Sequence, residues 1–503
     1  MNKLAILILL FGTCQNGHAL RKSRFEELMV PVDIYSVPKD AKRLLSKREL
    51  FTSIAKQGLP IKMARQDYES EKDRFQLVYD SYWPKPMVST SYTSSRTNSY
   101  GIPTYSKAFT FGVSIAGNTT WGLNYGFDLP KITDGTSLTQ DITTPTGTVS
   151  MGLNATLSLL KGSVFFQGRI PKTKADIDLE LSKIQLRSTV QTTLLQGEQA
   201  FYDVLQKQVQ AKVREQALKS SRALSADIKD MIAAGEADKL SAVKTELQVA
   251  QDETELLAAQ NDLATARQAL MDIMAVRSNE LPFYPDPNSI KDVPKPPQIS
   301  VQQALDLAKR QRPDYLSAQL RHKKAELDVQ SAYSNVLPKV DLKTAYGFVA
   351  TDDAFGRAFS TATQLKDPQY SVGVEMSYSF GNDSDKSSYR LSKISFFRSE
   401  LSLEQLNNQI TKEVSNSLQS ADFSFRKLRT SELAKELSEK KLHAEFEKFR
   451  VGESNIRNIL DFQTELNNTR ITELNARIEL LRNLAILRNS LGDFPDGVTV
   501  RND

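Results

Sequence analysis

The sequence has little of the side-chain chemistry on which redox proteins and thiol enzymes depend. One cysteine and three histidines occur among its 503 residues. Lys3, the apolar run 4–11 and the small residues before position 20 predict a secretory signal over residues 1–19 that contains Cys14. Cleavage after Ala19 leaves no cysteine, which excludes disulfides and thiolate sites. Lipidation of Cys14 is the alternative, although the preceding Phe-Gly-Thr fits a lipid-attachment sequence poorly.

Catalytic and phosphate-binding motifs are also missing. The sequence has no glycine-rich phosphate loop, no His-Glu-x-x-His pair and no Gly-x-Ser-x-Gly turn. His322 and His443 stand among charged residues of predicted helices, which is typical of solvated surface histidines. We therefore predict no enzyme activity, no cofactor and no metal site. The net charge of +5 contains no basic block of the kind that binds nucleic acid.

Long apolar runs are absent after the predicted signal. A membrane-spanning helix needs roughly 18 or more consecutive apolar residues, and no later segment reaches that length. Any membrane crossing must therefore be made by β-strands.

The order of predicted elements occurs twice, and this duplication organises the chain. Each half runs helix, proline, alternating strands, long helix, glycine turn, long helix. We place the first repeat at 47–280 and the second at 300–492. Residues 281–299 contain six prolines and are predicted to form an extended connector. Residues 20–46 form an unassigned extension, and 493–503 form a C-terminal tail.

Four segments alternate between apolar and small polar residues, which predicts strands of about 9 to 11 residues suited to a tilted bilayer crossing. A soluble antiparallel sheet gives the same alternation and remains the alternative. Two further segments, 109–115 and 121–129, are joined through Gly117-Asn118. They are interpreted as a hairpin above the membrane, with extra barrel strands as the alternative. The four alternating sets begin at Val88, Val149, Val340 and Tyr370.

The predicted helices differ in length in a repeated way. A helix over 173–234 would be about 90 Å long, and the helix after it, 240–274, about half that. The helix over 50–82 has the right size to complete the shorter partner by stacking end to end. The second repeat has the same lengths at 385–448, 456–491 and 301–336. Ordinary coiled coils also contain long amphipathic helices, but they do not explain the strands between them.

Three segments resemble signature sequences of the TolC family: Phe449–Asp461, Arg312–Arg321 and Ala234–Ser241. The resemblance extends in order from about 47 to 492. It implies an α+β membrane protein, a homotrimer in which four strands per protomer form a 12-stranded β-barrel that continues into a periplasmic helical barrel. It further implies an exit channel in the bacterial outer membrane for efflux or type I secretion. Its partners would be outer-membrane lipid, a periplasmic adaptor protein and an inner-membrane pump of the RND, ABC or MFS class.

The two glycine turns are the candidate site. Gly235 and Gly452 close the helical hairpins, where a helix end favours glycine. They lie farthest from the strands and would form the periplasmic entrance and the adaptor docking surface. The family narrows this entrance with two acidic positions, which here are Asn458 and Asp461. A ring of three Asp461 carboxylates would attract cations, whereas a solvated surface role is the alternative.

The family also closes the entrance with a polar latch. Its tyrosine, arginine and aspartate positions are occupied here by other residues, so the resemblance implies that this latch is absent. The serious rival function is an exported coiled-coil adhesin or periplasmic adaptor with a soluble β-domain. The residues at the three latch positions are Phe449, Ser454 and Ser241.

Overall fold

A computed structural model describes most of the chain. The predicted signal with Cys14 lies outside the described residues, as do Gly235, Gly452, most of the extension 20–46 and all of the tail except Asp493. The described ranges are 43–99, 101–139, 142–163, 169–234, 239–276, 283–291, 293–353, 355–364, 368–451 and 453–493.

The chain forms two compact units, and each takes segments from both halves of the sequence. One, the helical unit, comprises the chain up to Ala64, Leu186–Pro313 and Asn407 onward. The other, the sheet unit, comprises Arg65–Gln185 and Asp314–Leu406. Within the described residues, none of the helices is both long enough and apolar enough to cross a bilayer.

The long helices confirm the predicted inequality of lengths. Helix α3 (Ile170–Ala233) has 64 residues and α4 (Lys239–Met274) has 36. In the second half, α8 (Asp383–Arg450) has 68 residues and α9 (Ile456–Ser490) has 35. Each long helix therefore extends roughly 45 Å beyond its shorter partner.

The two helices expected to complete these pairs are each broken in two. The first half has α1 (Lys47–Gln57) and α2 (Leu59–Asp80), and the second has α5 (Val301–Gln311) and α6 (Pro313–Val336). The prediction of single helices was wrong at both places. Gly58 ends α1, where a Cβ would lie 2.6 Å from the Ile54 carbonyl oxygen.

Proline causes the second break. Pro313 is the first residue of α6, and a proline disfavours helical geometry in the residue before it. Arg312 accordingly has an extended backbone, and its guanidinium donates to Glu413 Oε2 at 2.8 Å and to the Ser490 carbonyl at 3.2 Å. Arg312 thus joins α5 to α8 and to the end of α9.

The proline-rich connector contains regular structure that the sequence did not predict. Strand β1 (Arg43–Leu45) pairs in parallel with β6 (Phe283–Pro285), and a 3-10 turn follows over Pro287–Ile290. The expectation of a purely extended connector was wrong. Prolines are tolerated here because they stand at the end of a three-residue strand and at the first position of a capped turn.

The core of the helical unit packs α1 against α3 and α4. Leu50 and Ile54 of α1 are fully buried beside Leu194 and Phe201 of α3, together with Leu270 of α4. Helix α1 also contacts α4, whereas the predicted end-to-end stacking remains a prediction.

A buried charged network lies within this core. Glu198 of α3 is 3 % exposed and accepts hydrogen bonds from Tyr202 Oη, at 3.1 Å, and from the Arg488 guanidinium. Lys47 Nζ in turn donates to Tyr202 Oη at 2.5 Å. Burial lowers the pKa of Lys47 and raises that of Tyr202. The network ties the start of α1 and the end of α9 to the middle of α3.

Removing the carboxylate should destabilise the helical unit. Glu198→Ala leaves Arg488 and Lys47 without their buried anion, so we expect a loss of about 3–5 kcal/mol and a lower melting temperature by far-ultraviolet circular dichroism. The control is Glu215→Ala on the same helix, because Glu215 forms an exposed pair with Lys219 at 2.7 Å. Equal melting temperatures for the two variants would contradict a supporting role for the network.

The sheet unit is built on one antiparallel sheet of six strands. Their order is β2-β3-β4-β5-β7-β8, so every strand neighbours the next one along the chain within this sheet. A short helix, α7 (Phe355–Thr363), packs Ala358 and Ala362 on Val149 and Ala350. The strands are β2 (Lys85–Ser99), β3 (Ile102–Asn118), β4 (Leu123–Thr139), β5 (Ile142–Ser158), β7 (Lys339–Asp352) and β8 (Gln369–Ser377).

The sheet has six strands, which differs from two expectations drawn from the sequence. One was four strands per protomer, and the other was a hairpin at 109–129 outside the barrel wall. That segment lies within β3 and β4, which are paired on both sides between β2 and β5. Its turn lies at Thr119–Gly122 rather than at Gly117-Asn118, and Gly122 has a φ of +79°. The weaker alternative, additional strands of the sheet, is therefore what the structure contains.

Candidate functional site

The six-stranded sheet has one apolar face. The strand register places the apolar residue of each alternating pair on this face in all six strands. In the part of the sheet nearest the helices, none of the residues on this face is charged. Its members include Val88 and Tyr92 of β2, Phe109 and Phe111 of β3, Tyr125 and Phe127 of β4, Met151 and Leu153 of β5, Tyr346 and Phe348 of β7, and Val372 and Val374 of β8.

Much of this face is exposed in the single chain. Tyr370 is 80 % exposed and Val372 72 %, which is unusual for side chains of this type. A contiguous exposed apolar surface of this kind marks contact with a membrane or another protein.

The opposite face is lined with hydroxyl groups and carries the charges. Neighbouring strands join their side chains by hydrogen bonds between Ser95 and Ser106 at 2.7 Å and between Thr110 and Thr133 at 3.2 Å. Hydroxyl and charged side chains remain favourable only where water or partners are present. This face therefore suits a wet lumen. Its charged residues are Lys85, Asp128, Lys131, Lys339, Asp341, Lys343 and Glu375.

The apolar face has the height of a bilayer crossing. Strand β8 has nine residues, and the paired parts of β7 and β5 beside it span twelve. Tilted strands of about 9 to 11 residues cross the hydrocarbon layer. The longer strands β2 to β5 continue beyond β7 as hairpins whose outer-face residues become polar, such as Arg96, Lys107 and Asp134.

Both tryptophans of the chain lie at one border of this apolar band. Trp83 immediately precedes β2 and is 69 % exposed, and Trp121 stands in the β3–β4 turn at 57 %. Phe380, just after β8, lies at the same end of the sheet. Aromatic residues concentrate where membrane meets water. Both tryptophans are visible in the sequence, but only the strand pairing brings them to one border.

The tip of the second helical hairpin has a polar cluster centred on Glu445. Its Oε1 accepts hydrogen bonds from Ser454 Oγ at 2.5 Å and from Asn458 Nδ2 at 3.1 Å. The bond from Ser454 holds the pKa of Glu445 below its ordinary value, with Asn458 adding to the effect. Ser454 and Asn458, both predicted site residues, are therefore brought together by Glu445, which the sequence did not indicate.

Apolar packing completes this tip. Leu442 and Phe446 of α8 are buried against Ile459 and Leu466 of α9, and Phe449 packs on the margin of the cluster. Asn455 caps α9, its side chain accepting from the Asn458 amide at 3.1 Å. In this chain, Phe449, Ser454 and Asn458 hold their own hairpin closed.

Asp461 lies apart from this cluster. Its carboxylate is 66 % exposed, and the Arg457 guanidinium one turn earlier is 3.9 Å away. The exposed anion is therefore accompanied by a cation on the same helical face. The four-residue spacing of this pair was visible in the sequence and was overlooked.

The first hairpin tip is described only in part. Ser241 lies in the first turn of α4, where its carbonyl accepts from Thr245 Oγ1 at 3.1 Å. Leu240 and Val243 beside it are exposed.

The comparisons with known proteins agree with this architecture. Residues 304–493 match the family model described as outer membrane efflux protein. This match covers the second repeat of the chain, which is thus similar to outer membrane efflux proteins. No curated sequence matches it significantly.

Solved structures of outer-membrane channels share the fold along nearly the whole chain. The channel CusC has a TM-score of 0.65 at 16 % identity, over 93 % of this chain and 97 % of its own. CmeC from Campylobacter jejuni has a TM-score of 0.65 at 12 % identity, over 92 % and 91 %. The open state of MtrE from Neisseria gonorrhoeae has 0.64 at 14 %, over 91 % and 93 %.

Within the described ranges, His, Cys, Asp and Glu residues do not form a group that could hold a metal ion. His322 is half-buried rather than fully solvated, since it stacks on Phe396 at 4.7 Å and its Nδ1 lies 2.9 Å from Ser399 Oγ. The expectation of a surface histidine was wrong there, and the residue joins α6 to α8.

Loss of the Glu445 carboxylate should loosen the second tip. In Glu445→Ala two donors lose their acceptor, so amide hydrogen exchange over 453–458 should become roughly tenfold faster. The control is Glu436→Ala on the same helix, where the carboxylate bonds only to the exposed Lys440. Unchanged exchange in Glu445→Ala would show that the cluster does not hold the turn.

Acid should have the same effect on the unmodified protein. Because the folded-state pKa of Glu445 is depressed, its contribution is present above the ordinary carboxyl pKa and is lost as pH falls through the lower, folded-state pKa. Glu445→Gln should lack this dependence.

Proposed function

We propose that the protein is the outer-membrane exit channel of an export system, assembled as a homotrimer with its helices in the periplasm. The single observation that carries this function is the two-faced sheet. Its apolar face has the height of a bilayer and its opposite face is polar. A periplasmic adaptor and an inner-membrane pump of the RND, ABC or MFS class would supply the substrate, through efflux or type I secretion.

Membrane fractionation tests this function directly. We expect the protein in the outer membrane as a trimer that migrates differently on gels before and after heating in detergent. Recovery as a soluble periplasmic monomer would contradict the channel and favour the adhesin or adaptor interpretation.

We further place the periplasmic entrance at the hairpin tips, with Asp461 facing the symmetry axis. Gly235 and Gly452 would form the two turns, and the adaptor would dock around them and Ser241. The exposure of Asp461 supports this position. Because Arg457 lies within 4 Å, the entrance would carry rings of both signs rather than a purely acidic constriction.

Opposite charge changes should therefore have opposite effects on ion selectivity. In planar bilayers, Asp461→Asn should shift the reversal potential toward anions, and Arg457→Gln should shift it toward cations. The control is Asp422→Asn, because Asp422 has the same spacing to Arg426, at 2.7 Å, but stands on α8 away from the tip. Unchanged selectivity in both tip variants would remove Asp461 from the entrance.

A further inference from the structure

The two outer strands of the sheet have no partner on one side. Strand β8 is exposed at every residue, and β2 is exposed wherever its burial is described. An open strand edge within a bilayer leaves backbone N–H and C=O groups without hydrogen bonds, at several kcal/mol each. Because apolar residues reach both edges, the edges lie at the level of the membrane.

A second copy of the chain fits these edges. In a sheet of six antiparallel strands the first and last run in opposite directions. Strand β8 of one copy and β2 of the next can therefore pair antiparallel, so that every backbone ladder continues. Since the apolar face is the same in all six strands, this pairing keeps it on one side throughout.

Strands β3 and β4 belong to this wall. Their apolar residues share the face of β2 and β5, and each forms a full ladder with its neighbours. The β4 strand contains a bulge between Asp128 and Lys131, where Pro130 avoids the need for a ladder hydrogen bond. The β3–β4 turn carries Trp121 at the same border as Trp83, as expected for a membrane-spanning hairpin.

We propose that three copies of this chain close, β8 to β2, into a barrel of eighteen strands rather than twelve. The proposal rests on the trimeric channel described above and extends it. Barrel diameter grows roughly linearly with strand number, so the lumen would be about half as wide again as that of a twelve-stranded barrel. The additional wall is lined by Thr110, Thr133 and their hydroxyl-bearing neighbours.

Disulfide crosslinking in native outer membranes tests this arrangement. Cysteine pairs are introduced into the full-length Cys14→Ser protein, which has no other cysteine. One series joins Cys at Val374 of β8 to Cys at Val88, Thr90 or Tyr92 of β2, to cover the possible registers. A mismatched control uses Ser91, on the opposite face.

A second series tests the hairpin within one chain. The pairs Tyr92 with Phe109 and Phe127 with Leu153 are direct partners of β2–β3 and β4–β5. The pair Val88 with Leu153 joins β2 to β5 and can form only if β3 and β4 lie outside the wall. Trimers are first verified by heat-modifiability.

The eighteen-stranded barrel predicts covalent dimers and trimers from one β8–β2 register and monomer-sized crosslinks from both direct-partner pairs. Three results in intact trimers would overturn this barrel. The first is a Val88–Leu153 crosslink, and the second is the absence of either direct-partner crosslink. The third is the absence of covalent dimers and trimers from every β8–β2 pair. Absence of trimers would instead overturn the proposed function itself.

Discussion

The need to pair every backbone hydrogen-bonding group is the constraint on which this molecule depends. A bilayer supplies no water to a strand edge, so a sheet that enters it must close on itself. The chain has a sheet with an apolar face and two open edges. Such a sheet is stable in a bilayer only when strands of other copies pair with both edges. In the proposed trimeric channel, assembly of three copies is therefore part of folding in the membrane.

The helical unit solves a different problem, since its surfaces face water and its own neighbours. Because of the duplication, each half has a long helix and shorter partners. The breaks at Gly58 and Arg312 divide corresponding helices in the same way: α1 and α5 have eleven residues each, α2 has twenty-two and α6 has twenty-four. The corresponding capping boxes at Ser46 and Ser300 show that both halves begin in the same way. Buried contacts such as the Glu198 network then join segments distant in sequence.

Periodicity predicted the elements whose signal is local. The long helices and the strands at Val149 and Tyr370 could be recognised because each carries an uninterrupted pattern of period 3.6 or 2. The sequence offered β3 and β4 as wall strands only as an alternative, because a hairpin above the membrane has the same local pattern. The pairing of β3 with β2 and of β4 with β5 decides between the two. Gly58 was missed because a single glycine within a helical pattern is ambiguous.

At the site, too, the sequence indicated residues with a local signal but not the contacts that form between distant segments. Asn458 and Ser454 were identified through family resemblance, but their role depends on Glu445, which reaches them only after two helices pair. Ser454 and Asn458 contact Glu445 within one hairpin. In the proposed entrance, Arg457 would add a cation to each Asp461, and its position four residues before Asp461 was readable from the sequence.

Accessibility along β5 in the assembled protein tests the central claim most directly. Single cysteines are placed in the Cys14→Ser background and treated in intact outer membranes with a charged, water-soluble maleimide. The account predicts labelling at Ser150, Asn154 and Thr156, which line the lumen, and none at Met151, Leu153 and Leu157, which face lipid. Equal labelling of both sets, or the reverse pattern, would contradict a membrane-spanning channel wall.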